Sequence, residues 1–381
     1  MEDYRELFKR ELDRLSYIYA KANTKSKKKR IAYDLIFFED MFNGLDKEKV
    51  VFPWSYDEDL IDIRLEVVDS FLRNVMESFG LVYGIAESNF NVFLEEEFSI
   101  HKYYGKFYHK MDEVLIQKNI GKFFREIDSN LVERFKYKLE NLELFVNQNI
   151  GNYDGLTFPI ESVDKNIIFF KTDEDMCIDD ARILVHEMGH DFEFDNAKKA
   201  GVVGAWGQLS KTLFTEVSSS FFEYAFINYL IDNKIYLEDA KMLKGRYLYQ
   251  LFHFLSYVLI IGEINHVNID YNFDIKIVDD CVIEYANSLL EKMNVSSEFY
   301  DKEDTLNFRH SFIFGIGKLL SVYIYEEYKD NSKEFLVNIR KMLLDYKDNG
   351  FESLRYLNID EEKLMSGDVL RKTLKLYNQD R

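Results

Sequence analysis

Two histidines four residues apart, with a glutamate beside the first, make the segment His186-Glu187-Met188-Gly189-His190 the richest chemistry in the chain. On a helix, residues four apart share one face about one turn from each other, so both imidazoles can meet a single metal ion. Glu187 can then reach a water bound to that metal. This is the HExxH pattern of zinc hydrolases, in which every position has a mechanical reason. With seven His in 381 residues, chance produces it in roughly one such chain in a hundred. The surrounding sequence has to decide.

A catalytic zinc takes three protein ligands and keeps one position for water. His186 and His190 supply two. None of the remaining histidines, His101, His109, His253, His266 and His310, follows the motif where a three-histidine site would place it. Glu216, on the next helical pattern, is the better third ligand. Glu223 lies seven residues further on, two helical turns away on the same side, and is placed to accept a hydrogen bond from a ligand histidine. Glu187 is then the general base. Bound zinc lowers the pKa of its water to about 7, so a carboxylate can take the proton and pass it to a leaving amine. His253 and His266 read as structural. His101 and His109, among Tyr103, Tyr104, Phe107 and Tyr108, read as packing.

The elements that must hold these groups follow from periodicity. Asn166 to Lys171 is short, β-branched and aromatic, and reads as a strand. A helix follows from about Ile178, with Asp179 and Asp180 favourable in its first turn. Ala181, Leu184, Val185 and Met188 are its apolar stripe, with His186 and His190 at the edge of that stripe. Gly201 and Gly204 mark a loop, and the next helix spans roughly residues 208–230. Upstream, Ile61, Leu65, Val68, Leu72, Met76 and Phe79 fall on one helical face, with Gly80 a candidate terminus. Ser55 and Glu58, after Pro53, have capping-box spacing. Leu131, Phe135, Leu139, Leu142 and Val146 share another helical spacing. Downstream, residues 249–261, 277–293, 306–328 and 333–346 read as helices, and the polar end from Leu370 as loosely held. The expected fold is mostly α with a small β-sheet beside the active-site helix. Residues 1–150 would be a helical N-terminal lobe and residues 151–381 the catalytic region, the two together forming one compact unit.

Composition narrows the function. Hydrophobic residues make up 47 % of the chain, with 26 Tyr and 33 Phe, so it can bury a large core. The net charge of −19 argues against nucleic acid and against an anionic membrane surface. Two Cys, Cys177 and Cys281, build neither a disulfide framework nor a CxxC metal site. The charged N-terminal residues carry no apolar signal core. The most apolar stretch, Tyr247 to Ile261, is short for a bilayer and reads as a buried helix. A cytoplasmic location is the expectation.

HEMGH, the following TEVSSSFFE and the preceding NIIFFKT together resemble the thimet oligopeptidase and oligoendopeptidase F family of zinc metallopeptidases. The resemblance is specific from about Gly151 to Tyr229, weaker from Leu306 to Tyr328, and absent before residue 150. It implies a mostly helical zincin fold with a deep channel for short peptides, Glu216 as third ligand and Glu187 as base. It also implies that Asn166 to Lys171 is an edge strand along which an extended peptide pairs, with Ile168, Phe169 and Phe170 contacting substrate. The chain is shorter than most members, the loss falling in its N-terminal half. Where the family has a histidine and tyrosines ahead of a glycine, this chain reads Phe308-Arg309-His310-Ser311-Phe312-Ile313-Phe314-Gly315-Ile316-Gly317. With Gly317 aligned to the family glycine, Phe312 and Phe314 lack the tyrosine hydroxyls. His310 is the donor that can stand in for them at the oxyanion, and Tyr153 is another.

The sequence therefore points to a zinc-dependent oligoendopeptidase acting on short unstructured peptides, with one Zn2+ per chain. Two rivals stay open. A zinc carboxypeptidase would need a cation for the terminal carboxylate, for which Arg309 is available. A catalytically impaired peptide-binding homologue would account for Phe312 and Phe314, with the intact Glu187 against it.

Overall fold

A computed structural model describes residues 4–45, 52, 58–98, 107, 109–141, 143–146, 154–160, 165–171, 176–199, 214–264, 269, 273–277, 279–292, 305–330 and 332–379. By its contacts the chain divides into two compact units. The first comprises Met1–Arg73 and Lys110–Thr212, the second Asn74–His109 and Leu213–Arg381. Tyr153, His101, His266, Pro53, Ser55 and residues 200–213, with the expected loop at Gly201 and Gly204 and the expected helix start near Gln208, lie outside the described residues. No helix among the described residues is long and apolar enough to cross a membrane.

The first unit holds helices α1 (Tyr4–Ala20) and α2 (Lys25–Leu45), the start of α3 (Glu58–Glu95), α4 (Glu113–Ile127) and α5 (Ser129–Glu140). Strands β1 (Leu144–Val146), β2 (Gly155–Ile160) and β3 (Lys165–Phe170) follow, then α6 (Ile178–Lys199). The strands form one mixed sheet in the order β1-β3-β2, with β1 parallel and β2 antiparallel to β3. Cross-strand partners share a face, so Phe158, paired with Ile167, lies on the same side as Phe169. That side packs on α1 and α2, where Phe8 meets Phe158 at 4.9 Å and Phe169 at 5.8 Å between ring centroids. The opposite side carries Gly155, Thr157, Asn166 and Ile168 and faces α6, which both Thr157 and Asn166 bond.

This register corrects the expected edge strand. β3 is the central strand, with β1 on one side and β2 on the other along Ile168–Phe170. Ile168 and Phe169 are 0 % exposed and Phe170 1 %, so these three side chains are core. The physical reason is visible in the segment itself: an unbroken apolar run marks a strand covered on both faces, and such strands sit inside sheets. Among the described residues the outer strand on this side is β2.

The second unit contains the rest of α3, then α7 (Val217–Asp232), α8 (Leu237–Glu263), β4 (Asp274–Lys276), α9 (Asp280–Glu291) and β5 (Thr305–Asn307). It ends with α10 (Phe308–Asp330), α11 (Ser332–Asn349), a 3-10 segment (Gly350–Leu357), α12 (Glu361–Ser366) and α13 (Asp368–Gln379). α3 does not stop at Gly80 but continues to Glu95. Its buried face uses Leu60, Ile63, Val68, Phe71 and Val75, while Ile61, Leu65 and Met76 are exposed. The helix is apolar on two faces, and spacing alone does not rank them. The helix expected to reach Val146 ends at Glu140, and Leu144–Val146 is β1. The C-terminal stretch is the helix α13, with Leu370 and Leu374 fully buried. Leu370, Leu374 and Tyr377 recur at helical spacing and give it an apolar stripe to dock.

Candidate metal and catalytic site

The HEMGH segment lies in the middle of α6. The His186 and His190 rings are one turn apart, with centroids 5.0 Å from each other. Both are half-buried, and Glu187 between them is buried. Helical geometry turns Glu187 toward the sheet. There its Oε2 accepts a hydrogen bond from Thr157 Oγ1 at 2.7 Å. Gly155, two residues earlier on β2, lies directly under the same side chain.

The helix is held in place by charge. Asp191, next to His190 and 0 % exposed, accepts from Arg134 Nη2 at 2.9 Å and from Asn166 Nδ2 at 3.1 Å, and pairs with Lys138 Nζ at 2.9 Å. Lys138 also donates to the Asn166 carbonyl at 2.7 Å and to Glu143 at 3.2 Å. Burial alone would lower the Arg134 pKa, but its bonds to Asp191 and its proximity to Asp195 outweigh this and raise it. One carboxylate thus ties α5, β3 and α6 together. Each buried cation has its partner, as a low-dielectric interior requires.

Glu193, three residues after His190, was not singled out by the sequence reading. Its Oε2 stands 4.0 Å from His190 Nδ1, and both side chains are largely buried. An (i, i+3) carboxylate after the second motif histidine is the signal that could have found it. Glu223, expected from the sequence to orient a ligand histidine, has a cation among its partners. Its carboxylate is bracketed by Lys318 Nζ at 3.3 Å to each oxygen. Lys318 in turn sits 4.1 Å over the Tyr247 ring. Glu223 is therefore part of a buried ion pair between α7 and α10.

Glu216 belongs to the second unit. It is the N-cap residue of α7, preceded by a turn, and not part of the helix interior as the periodicity suggests. Ser219 Oγ donates to Glu216 Oε2 at 2.9 Å, and a carboxylate at a helix N-terminus meets the favourable end of the dipole. Gly317 on α10 explains why a glycine stands there. A Cβ at Gly317 would lie 2.7 Å from Glu216 Cβ and 2.8 Å from its carbonyl oxygen. The two segments approach closely only because that side chain is missing.

His310 stands in the first turn of α10. Its ring stacks at 4.1 Å on Phe314 and 5.3 Å from Phe254. Desolvation by these neighbours takes its pKa below the ordinary value. The charge of Glu216 opposes that shift, while Arg309 and Lys318 add to it. A neutral imidazole keeps one N–H to donate. Phe312 is fully buried and packs on Phe308 at 4.7 Å and Phe79 at 6.0 Å. Its missing hydroxyl therefore reflects core packing.

Solved structures share this fold. Over 97 % of the chain it is similar to PZ peptidase A with inhibitor 2, at 16 % identity and a TM-score of 0.52, spanning 71 % of that chain. Over 93 % it is similar to a candidate oligoendopeptidase F from Bacillus anthracis str. Ames, at 13 % identity and a TM-score of 0.55, spanning 64 % of that chain. Over 92 % it is similar to a candidate peptidase from Chlamydophila abortus, at 12 % identity and a TM-score of 0.52, spanning 62 % of that chain. No family model matches the chain, and no curated protein matches it by sequence. At these identities the likeness is one of fold: a mostly helical, oligoendopeptidase-like architecture.

Proposed function

We propose that the protein is a zinc-dependent oligoendopeptidase that hydrolyses peptide bonds in short unstructured peptides. The observation that carries the reading is the seating of HEMGH on α6, with two imidazoles one turn apart and the intervening Glu187 held against β2. The donor set suits zinc. His186 and His190 would supply two nitrogens and Glu216 a carboxylate oxygen, the two-imidazole, one-carboxylate set of many zinc hydrolases. Glu193 beside His190 Nδ1 supports Nε2 as the ligating nitrogen.

When bound, zinc supplies a Lewis acid that polarises a carbonyl and acidifies a water. The chain's own groups do the rest. Glu187 takes a proton from the attacking water as the new C–O bond forms. It returns that proton to the amine nitrogen as the C–N bond breaks. His310 offers an N–H to the oxygen that gathers negative charge. Among the described residues β2 is an outer strand, and its backbone groups would pair with an extended peptide. Against a catalytically impaired homologue stand the intact Glu187 and the burial of Phe312, which accounts by packing for one of the two absent hydroxyls.

The test is hydrolysis of an end-blocked peptide by metal-stripped and zinc-restored protein. Internal cleavage that is lost with a chelator and recovered with one equivalent of zinc supports the reading. Cleavage unaffected by the chelator, or release of C-terminal residues alone from unblocked peptides, would sink it.

A further inference from the structure

Gly155 and Thr157 alternate along β2, so both face α6. Thr157 Oγ1 lies 2.7 Å from Glu187 Oε2 and 3.0 Å from the Glu187 carbonyl oxygen. A hydroxyl has one proton to give, and an ionised carboxylate is the stronger acceptor. Thr157 is buried, so little solvent competes for that bond. Gly155 acts through space. A Cβ there would lie 2.7 Å from Glu187 Cγ and Oε1 and 2.9 Å from Cδ. The Glu187 side chain occupies the volume that any larger residue at 155 would fill. A glutamate side chain ordinarily samples several rotamers; here one oxygen is bonded and the stem lies against bare backbone.

We propose that Gly155 and Thr157 form a seat for the Glu187 carboxylate, and that Thr157 is a positioning residue for the general base. This rests on the reading of Glu187 as the base. With Oε2 engaged by Thr157, Oε1 is the oxygen that takes the proton from water and passes it to the departing amine. A misplacement of about 1 Å at such a group costs about a hundredfold in rate, so the seat sets kcat without touching substrate.

The experiment uses zinc-loaded full-length protein and an end-blocked peptide that the wild type cleaves. Thr157→Val keeps the shape and removes the hydroxyl. Its kcat should fall about tenfold to a hundredfold, with KM within about twofold and one zinc still bound. Thr157→Ser should recover kcat to within about threefold of wild type. In a Glu187→Gln background, Thr157→Val should cost less than about twofold more, because its route to the chemistry is gone. Full kcat in Thr157→Val, or an equal loss in both backgrounds, overturns the seat. Gly155→Ala covers the case in which Thr157→Val does not fold. A crystal structure showing the Glu187 carboxylate displaced, with kcat reduced and zinc retained, supports the proposal; an undisplaced carboxylate with full kcat overturns it. A zinc-loaded wild type that cleaves no peptide overturns the peptidase reading itself, a result distinct from an active wild type with an active Thr157→Val.

Discussion

Thr157 Oγ1 bonds Glu187 Oε2 at 2.7 Å across thirty residues of sequence, and this contact fixes the chemically central side chain of α6 against β2. The helix that carries HEMGH is therefore one half of the arrangement. The strand beneath it is the other half, and what happens at either can be read in the other.

Gly317 and Glu216 form a second close pairing. Gly317→Ala puts a methyl 2.7 Å from the Glu216 Cβ and 2.8 and 2.9 Å from its carbonyl oxygen and carbon. The backbone is not a flexible tip, so Glu216 must move. Zinc affinity should fall about tenfold to a hundredfold, as for loss of other supports of a ligand. Competition with a chromogenic chelator measures this. Wild-type affinity in the variant would remove Glu216 from the ligand set or show that α10 gives way.

Asp191 is predicted to be a stability residue. Asp191→Ala leaves Lys138 buried with a major partner removed, and takes two bonds from Arg134. The loss should be about 3–5 kcal/mol, read from denaturant midpoints at constant slope. A change under about 1 kcal/mol would show that the network relaxes at little cost.

His253 gives the second unit a pH dependence. Burial lowers its pKa to about 4, and its ring lies between Tyr249 at 5.8 Å and Tyr257 at 4.3 Å. Because the folded pKa is below the unfolded value, the unfolded chain binds the proton more readily. Stability is then fully present above about pH 6.5 and is lost as pH falls toward about 4, with no further loss below that. The contribution is on the order of 3 kcal/mol. His253→Leu should flatten that part of the stability profile, measured by urea unfolding from pH 7 to pH 4. An unchanged slope would mean that His253 keeps an ordinary pKa in the folded chain.

Much of the candidate site is legible in the sequence because its signals are local. HEMGH announces itself through spacing along one helix, and the mostly helical fold follows from periodicity over long segments. What was not legible depends on which segments meet. Nothing in Gly155 or Thr157 points to Glu187, since strand pairing and helix packing bring them together. The resemblance implies an edge position for β3, although its continuous apolar run favours the centre of a sheet. Lys318, the cation that Glu223 meets, lies 95 positions away, and no spacing along one helix announces it. The apolar stripe of α13 was present in Leu370, Leu374 and Tyr377, but the charged residues between them hid it.

The central claim is that Glu187 is the base of a zinc peptidase. It is tested most directly by comparing zinc-loaded wild type with Glu187→Gln on one end-blocked peptide mixture, with products read by mass spectrometry and bound zinc quantified in the same samples. The account predicts one zinc in each protein, internal cleavage by wild type, and a fall in kcat of about two orders of magnitude or more in the variant. Equal cleavage by both proteins, or no cleavage by a wild type carrying its full zinc, would contradict it.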